Sequence, residues 1–339
     1  MSRISIVVPV YHNARSLEDL LDEFRAVAAR NPDDEFEFIF VDDGSRDESF
    51  AVLEGLAASE SRMKVAKLSR NFGSNPAIMA GLSLARGDAV AAIAADLQDP
   101  PALLHDMIAH WREEHKVVIA ARRGRGDPFP TSLFSNTFYR LFRRFAIKSM
   151  PRRGFDFFLI DKQVCSLING IQENNAYLMG LILWLGFEPY VIEYDRDARA
   201  ERYGQSMWTL GKKLKYFADS FVAFSHFPIR ISSALGIIFS LFGLLYAIWV
   251  IYARLALGIE TEGWASLIVV VLIAAGVQML ILGIIGEYMW RNLDETRRRP
   301  RFIIEQVIQH ERADPASAEE DLEPAKSQQK LESLRARAE

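Results

Sequence analysis

Two unbroken apolar stretches constrain this chain more than any other feature. Residues 231–253 and 264–286 each run 23 residues without a charge. As a helix, each spans roughly 30 Å, the thickness of a bilayer's hydrocarbon core. The alternative is a helical hairpin buried in a soluble core, where helices rarely run this long without a charged residue. The short connection between the stretches carries Arg254, Glu260 and Glu262. Outside them lie Lys212, Lys213, Lys215 and Arg230 on one side, and Arg291, Arg297, Arg298, Arg299 and Arg301 on the other. The basic bias of the flanks predicts two transmembrane helices with both termini cytoplasmic and the short loop outside. The expected location is therefore the inner (cytoplasmic) membrane, crossed more than once.

The neighbouring segments fit that expectation. In 209–230, Leu210, Leu214, Phe217, Phe221 and Phe224 recur at steps of four and three, with the lysines off that face. That spacing predicts an amphipathic helix lying on the membrane surface, with packing on the soluble domain as the alternative. Residues 287–309 read as a cytoplasmic juxtamembrane segment. The tail 310–339 has no aromatic residue and is rich in Ala, Glu, Gln, Ser and Lys, so disorder is expected there. A formal charge of -4 gives no reason to propose nucleic acid as a partner. The single cysteine, Cys165, excludes an intrachain disulfide and fits a reducing compartment. Met1 to Ile4 run straight into a strand, with no signal peptide.

Residues 1–208 read as one α/β domain. Strands are predicted at 4–10, 36–41, 63–68, 89–93, 116–121, 155–160 and 187–194. Helices are predicted at 15–30, 48–59, 74–85 and 101–114, with an aromatic and basic helix at 129–149. In the first helix Leu17, Leu20, Leu21, Phe24 and Val27 share a face. Ser45 or Asp47 is expected to cap the second helix, and Gly87 to close the third. The βαβα alternation predicts a mostly parallel, Rossmann-like sheet with helices on both faces.

Such sheets bind ligands in the crevice at the carboxyl ends of their strands. The first strand ends in Pro9-Val10-Tyr11-His12-Asn13, where a dinucleotide enzyme would carry glycines, which counts against nicotinamide or flavin chemistry. Tyr11 offers a flat face to a base, and Asp42 or Asp43 can accept hydrogen bonds from a base or ribose. The run Ala94-Ala95-Asp96-Leu97-Gln98-Asp99-Pro100-Pro101 follows the 89–93 strand. Its hard oxygen ligands suit Mg²⁺ or Mn²⁺ held partly by a substrate diphosphate, although Asp96 and Asp99 as plain helix caps is the simpler reading of that run alone. Arg122, Arg123 and Arg125 follow a strand and can meet phosphate, or form an ordinary solvated cluster. The six histidines show no metal-ligand spacing.

Taken in order, the motifs become specific. They are Val8-Pro9-Val10-Tyr11, Val41-Asp42-Asp43-Gly44-Ser45, Leu68-Ser69-Arg70-Asn71-Phe72-Gly73 and Asp96-Leu97-Gln98-Asp99-Pro100-Pro101. Asp156-Phe157, Trp184-Leu185-Gly186-Phe187 and Tyr203-Gly204-Gln205-Ser206-Met207-Trp208 follow. With two closing membrane helices, this set resembles the family 2 glycosyltransferases of GT-A fold over about residues 3–300. More narrowly it resembles the polyprenyl-phosphate glycosyltransferases, the group of dolichol-phosphate mannose synthases and bactoprenol glucosyltransferases.

The resemblance implies inverting transfer of a sugar from a nucleotide sugar, with UDP favoured over GDP, to polyprenyl (undecaprenyl) phosphate for cell-envelope glycans. It implies a nucleotide-sugar site drawn from Pro9, Tyr11, Asn13, Asp42, Asp43, Arg70, Ala95, Asp96, Gln98 and Arg122. Asp96 and Gln98 would hold the metal, and Asp156 matches the residue proposed as base in relatives. Arg196, Arg199, Arg202, Ser206 and Trp208 lie just before the surface helix and would clamp diphosphate and lipid phosphate. Relatives also imply a homo-oligomer. Three positions depart from the family pattern. Ala94 replaces the first acid of Asp-X-Asp, Asn13 stands where an acid is common, and Met179 where arginine is common. The loss at position 94 leaves open a metal-independent site or a non-catalytic nucleotide-sugar scaffold. A processive polysaccharide synthase would need Gln-x-x-Arg-Trp and more spans, and the chain has neither.

Overall fold

The computed structural model describes residues 1–123, 140, 143–144, 147–151, 154–171, 173, 177–195, 227–256 and 263–309. The expected helix at 129–149 falls mostly outside them. The amphipathic helix at 209–230 does so apart from its last residues, and the tail 310–339 does so entirely. Eight strands form one sheet: β1 (Arg3–Val10), β2 (Glu35–Asp42), β3 (Met63–Leu68), β4 (Ala89–Ala92), β5 (Val117–Arg122), β6 (Phe155–Asp161), β7 (Tyr190–Tyr194) and β8 (Ile304–Gln309). Their spatial order is β7-β5-β6-β4-β1-β2-β3-β8. The pairs β1/β2, β1/β4, β2/β3 and β5/β7 are parallel. The pairs β4/β6, β5/β6 and β3/β8 are antiparallel. This is a GT-A-like α/β fold with a mostly parallel, mixed sheet.

The period-2 alternation of the central strands feeds two cores. On β1, Ile4, Ile6, Val8 and Val10 join Phe36, Phe38 and Phe40 of β2 in one buried cluster. Helices α1 (Leu17–Arg30), α2 (Ser49–Ser59) and α4 (Leu103–Arg112) cover that face. All five residues of the expected α1 face are buried. Phe24 sits 5.6 Å from Phe38 and 6.1 Å from Phe40, ring to ring. Truncating a buried Phe of this kind to alanine costs about 3–5 kcal/mol. Val7, Ile39 and Val41 point the other way, to α3 (Ser74–Leu84), α5 (Lys162–Gly170) and α6 (Leu178–Trp184). Gly81 lets α3 lie directly on β1, because a Cβ there would stand 2.2 Å from Val7 Cγ1. Met179, one of the departures from the family pattern, is buried in this second core.

Several local expectations are corrected. Of Ser45 and Asp47, it is Asp47 that serves the start of α2: the positional N-cap is Glu48, but the Asp47 carboxylate accepts from the Ser49 N–H at 3.2 Å, while the Ser45 hydroxyl accepts from the His12 N–H. Gly87 is not a helix stop. It lies where a Cβ would meet Ser5 Oγ at 2.5 Å, and its N–H donates to that hydroxyl. The strand expected from 187 starts at Tyr190.

After β7 the chain forms α7 (Phe227–Ala256) and α8 (Trp264–Thr296), each long and apolar enough to cross a membrane. Neither apolar stretch is buried inside the structure, unlike the core helix of a soluble domain. Ile237 and Phe242 are each 69% exposed. The segment expected only to flank the membrane does more. Residues 304–309 return to the sheet as β8 and complete its edge beside β3.

Candidate active site

Chain order places the crevice. From β1 the chain steps outward to β2 and β3, then α3 crosses back to put β4 on the other side of β1. The carboxyl ends of β1, β2 and β4 therefore open at the switch point where such sheets bind ligands. Because β6 runs antiparallel to β4, with Ala92 opposite Phe158, its first residues lie at this same end. Asp156 of β6 thus comes near the turn that carries Asp96.

At the end of β1, Pro9 pairs with Val41, and the loop beyond is tied to the β2 turn. Asn13 Oδ1 accepts from the Tyr11 N–H at 3.3 Å, and the Asn13 N–H donates to Ser49 Oγ at 3.0 Å. His12 takes a left-handed conformation (φ 56°), an uncommon state for a bulky residue. Tyr11 packs 4.3 Å from its ring and remains partly exposed.

The two acids ending β2 are used differently. Asp42 is fully buried; its Oδ2 accepts from the Ser45 N–H at 3.2 Å, while Oδ1 is buried with no hydrogen-bond partner. Burial pushes its pKa up, against the hydrogen bonds from Ser45. Asp43 accepts from the backbone N–H groups of Phe72 and Gly73 at 2.6 and 2.8 Å, one on each oxygen. Burial outweighs those two bonds and pushes its pKa up to about 6. Gly44 (φ +67°) completes the junction, since a Cβ there would lie 2.6 Å from the Arg70 carbonyl carbon. Arg70 stacks 4.0 Å over Phe72 and donates to the Asn71 carbonyl.

The turn after β4 repeats the division. Ala95 is buried, and its carbonyl accepts from Ser16 Oγ at 2.6 Å. Asp96 is partly exposed, and its Oδ1 accepts from the Gln98 N–H at 3.3 Å. Leu97 between them is left-handed (φ 54°). Asp99 is only 1% exposed. The Tyr194 hydroxyl donates to it, and Arg122 Nε lies 3.8 Å from the same oxygen. The N-cap position of α4, which begins at Leu103, is Ala102 rather than Asp99.

Arg122 is expected to meet phosphate, yet its side chain is 8% exposed and pairs with Asp156 and Asp99. Burial works against its charge, but the carboxylates of Asp156 and Asp99 and the Tyr194 hydroxyl outweigh it and raise its pKa. Burial, with Asp99 adding to it, likewise raises the pKa of Tyr194. Asp156 is half exposed, with Arg122 behind it.

Tyr194 escapes the sequence reading altogether, because only the parallel pairing of β7 with β5 sets it opposite Arg122. Asp99 had a faint signal, a carboxylate just before two prolines. Arg196, Arg199, Arg202, Ser206 and Trp208 lie outside the described residues. Among the described residues no group of three His, Cys, Asp or Glu gathers as a metal cluster. Asp96 and Gln98 supply one carboxylate and one amide oxygen, a hard donor set that fits Mg²⁺ or Mn²⁺ only where ligand oxygens and water complete the shell.

The family model "Glycosyl transferase family 2" matches residues 5–171. The chain is similar to "Uncharacterized glycosyltransferase YkcC" of Bacillus subtilis (strain 168), with 38% identity covering 89% of this chain and 93% of that protein. It is similar to "Prophage bactoprenol glucosyl transferase homolog" of Escherichia coli (strain K12), with 32% identity covering 90% and 99%. Among solved structures it is similar to glucosyl-3-phosphoglycerate synthase from Mycobacterium tuberculosis in complex with Mn²⁺, UDP and phosphoglyceric acid. The TM-score is 0.44, with 16% identity covering 64% of this chain and 77% of that one.

Proposed function

This chain belongs to glycosyl transferase family 2, and we propose that it transfers a sugar from a UDP-sugar to polyprenyl phosphate at the cytoplasmic face of a membrane. An oxygen of the lipid phosphate attacks the anomeric carbon from the face opposite the nucleotide. The bond to the diphosphate breaks with its electron pair going to the departing UDP, and the sugar's configuration inverts. The relatives named for bactoprenol glucosyl transfer support the acceptor class. The observation that carries the reading is the β4/β6 register, which sets the turn bearing Asp96 and the start of β6 bearing Asp156 at the same end of the sheet, in a chain whose two apolar helices are unburied.

Each described residue has work that its surroundings suit. Tyr11 stacks on the base, and the partnerless Oδ1 of Asp42 accepts one of its N–H groups. Asp43 holds the Phe72–Gly73 backbone, and with it Arg70, at the mouth of the crevice. Asp96 and Gln98 would hold the divalent cation, whose contribution when bound is to offset the charge growing on the departing diphosphate. A lipid phosphate is already ionised near neutral pH, so positioning matters more than a strong base. Asp156, held by Arg122, orients at the edge where that phosphate arrives. The segment 196–208, with Arg202 foremost, neutralises the phosphates. The helices α7 and α8 cross the membrane with both termini cytoplasmic.

The test is purified full-length protein in vesicles containing undecaprenyl phosphate, given a panel of UDP- and GDP-sugars with Mg²⁺ or Mn²⁺. One donor should yield a lipid-linked sugar that retains a single phosphate. Intact nucleotide binding with no transfer from any donor would overturn the reading in favour of a non-catalytic scaffold.

A further inference from the structure

The chain leaves its second apolar helix and returns to the sheet almost at once. Helix α8 ends at Thr296, the Arg297 N–H closes back on the Leu293 carbonyl, and Arg298 turns left-handed (φ 48°). Arg297, Arg298, Arg299 and Pro300 are all that separate the helix from Arg301. Five residue steps reach at most about 18 Å.

At Arg301 the chain is bolted down. One guanidinium nitrogen donates to the Ile171 carbonyl just past α5, and the other lies 3.4 Å from Met79 Sδ on α3. Burial works to lower the pKa of Arg301, and the carboxylates of Glu295 and Glu173 oppose it. Two residues on, the Ile303 carbonyl accepts from the Ser69 N–H at 3.0 Å. Strand β8 then pairs along β3 from Leu68↔Ile304 to Lys64↔Gln309, with Lys67 and Glu305 3.6 Å apart. Phe302 and Ile304 pack on the core beneath α3.

Apart from the bond to Ile171, these contacts fall on β3 and α3, the elements on either side of Arg70 and the Phe72–Gly73 backbone. Ser69 precedes Arg70, and α3 starts directly after Gly73. The mouth of the crevice is thus tied, through a few residues of chain, to the end of a membrane-length helix.

We propose that Arg301, with β8, is a positioning residue that sets the height of the candidate site above the membrane, so that a lipid-borne phosphate meets the crevice in register. The proposal rests on the lipid-acceptor reading above. A staple of this kind has no bearing on a soluble acceptor, which reaches the crevice from any height. A misplacement near 1 Å already costs up to about 10²-fold in rate, so loosening the staple should be visible.

Full-length protein in vesicles is assayed with undecaprenyl phosphate in the bilayer, and in parallel with citronellyl phosphate in solution. Arg301→Ala should lower kcat with the bilayer acceptor about tenfold, leave KM for the nucleotide sugar unchanged, and keep transfer to citronellyl phosphate within about twofold. Arg301→Gln gives the same split should alanine unfold the chain. Lys67 and Gln306 face each other in register. Facing antiparallel residues lie about 5 Å apart at Cα, within disulfide reach. Oxidised Lys67→Cys with Gln306→Cys should therefore restore bilayer transfer in the Arg301→Ala background. Equal losses on both acceptors, no loss on either, or failure of the cross-link to rescue overturns the proposal. Wild-type protein inactive on both acceptors overturns the lipid-phosphate reading itself, a result that no staple variant can mimic.

Discussion

The turns after β2 and β4 each carry two aspartates, and each turn spends them the same way. In the first, Asp43 locks a neighbouring loop while Asp42 keeps a buried oxygen without a partner. In the second, Asp99 locks Arg122 and Tyr194, while Asp96 stays partly exposed beside Gln98. One acid of each pair ties neighbouring segments together as the crevice wall, and the proposed function gives the other to the ligand. A glycosyltransferase needs both, because a fixed array of charges stabilises a transition state only if the wall behind it does not relax.

That division can be broken from either side. The largest effect is expected at Asp99, whose removal leaves the buried Arg122 charge with one partner fewer. Asp99→Ala should cost about 3–5 kcal/mol in unfolding free energy, read by urea denaturation. A variant of wild-type stability with lowered turnover would move Asp99 to the chemical side.

Asp43 offers a test in pH. Its folded pKa of about 6 lies above the unfolded value near 3.8. The folded state therefore binds the extra proton between those values, and stability falls as pH rises through that window. The swing is at most about 3 kcal/mol, since one pKa unit is worth about 1.4 kcal/mol. Asp43→Asn should flatten this part of the stability profile. An unchanged slope would show that Asp43 does not carry it.

For Asp96→Asn the expected loss is about 10²-fold in transfer, with a melting temperature close to wild type. Normal turnover in that variant would remove Asp96 from the candidate metal site. The smallest effect belongs to Asp42→Asn. It removes a buried charge, so stability should hold or rise, while nucleotide binding weakens about tenfold on loss of a charged acceptor. Calorimetry with UDP reads this, and a stability loss without a binding loss would make Asp42 a wall residue like Asp43.

Much of the scaffold was legible from pattern alone. The strands β1, β2, β3 and β5 start and end within two residues of where their apolar runs predict, and all five residues of the expected α1 stripe are buried. The two charge-free stretches appear as the two long unburied helices. Strand β8 was invisible because Ile-Glu-Gln-Val-Ile-Gln is an edge strand, mostly exposed and without a clean apolar alternation. The motifs named Asp42, Asp43, Asp96, Asp156 and Arg122 as site candidates, but not the burial of Arg122 against the carboxylates of Asp99 and Asp156.

By itself, the sequence determined most of the strands and helices of the first half of the chain, which faces they bury, and two helices long and apolar enough to seek an apolar surrounding. Those properties depend on residues one to four positions apart, and the chain carries them locally. Only the tertiary structure decided which aspartate of each pair serves the wall. The partners that claim them arrive from far along the chain: Phe72 lies 29 residues from Asp43, and Tyr194 lies 95 from Asp99. No local pattern encodes such a meeting, because it is set by strand order and register, and it is the burial achieved there that turns a surface acid into a structural one.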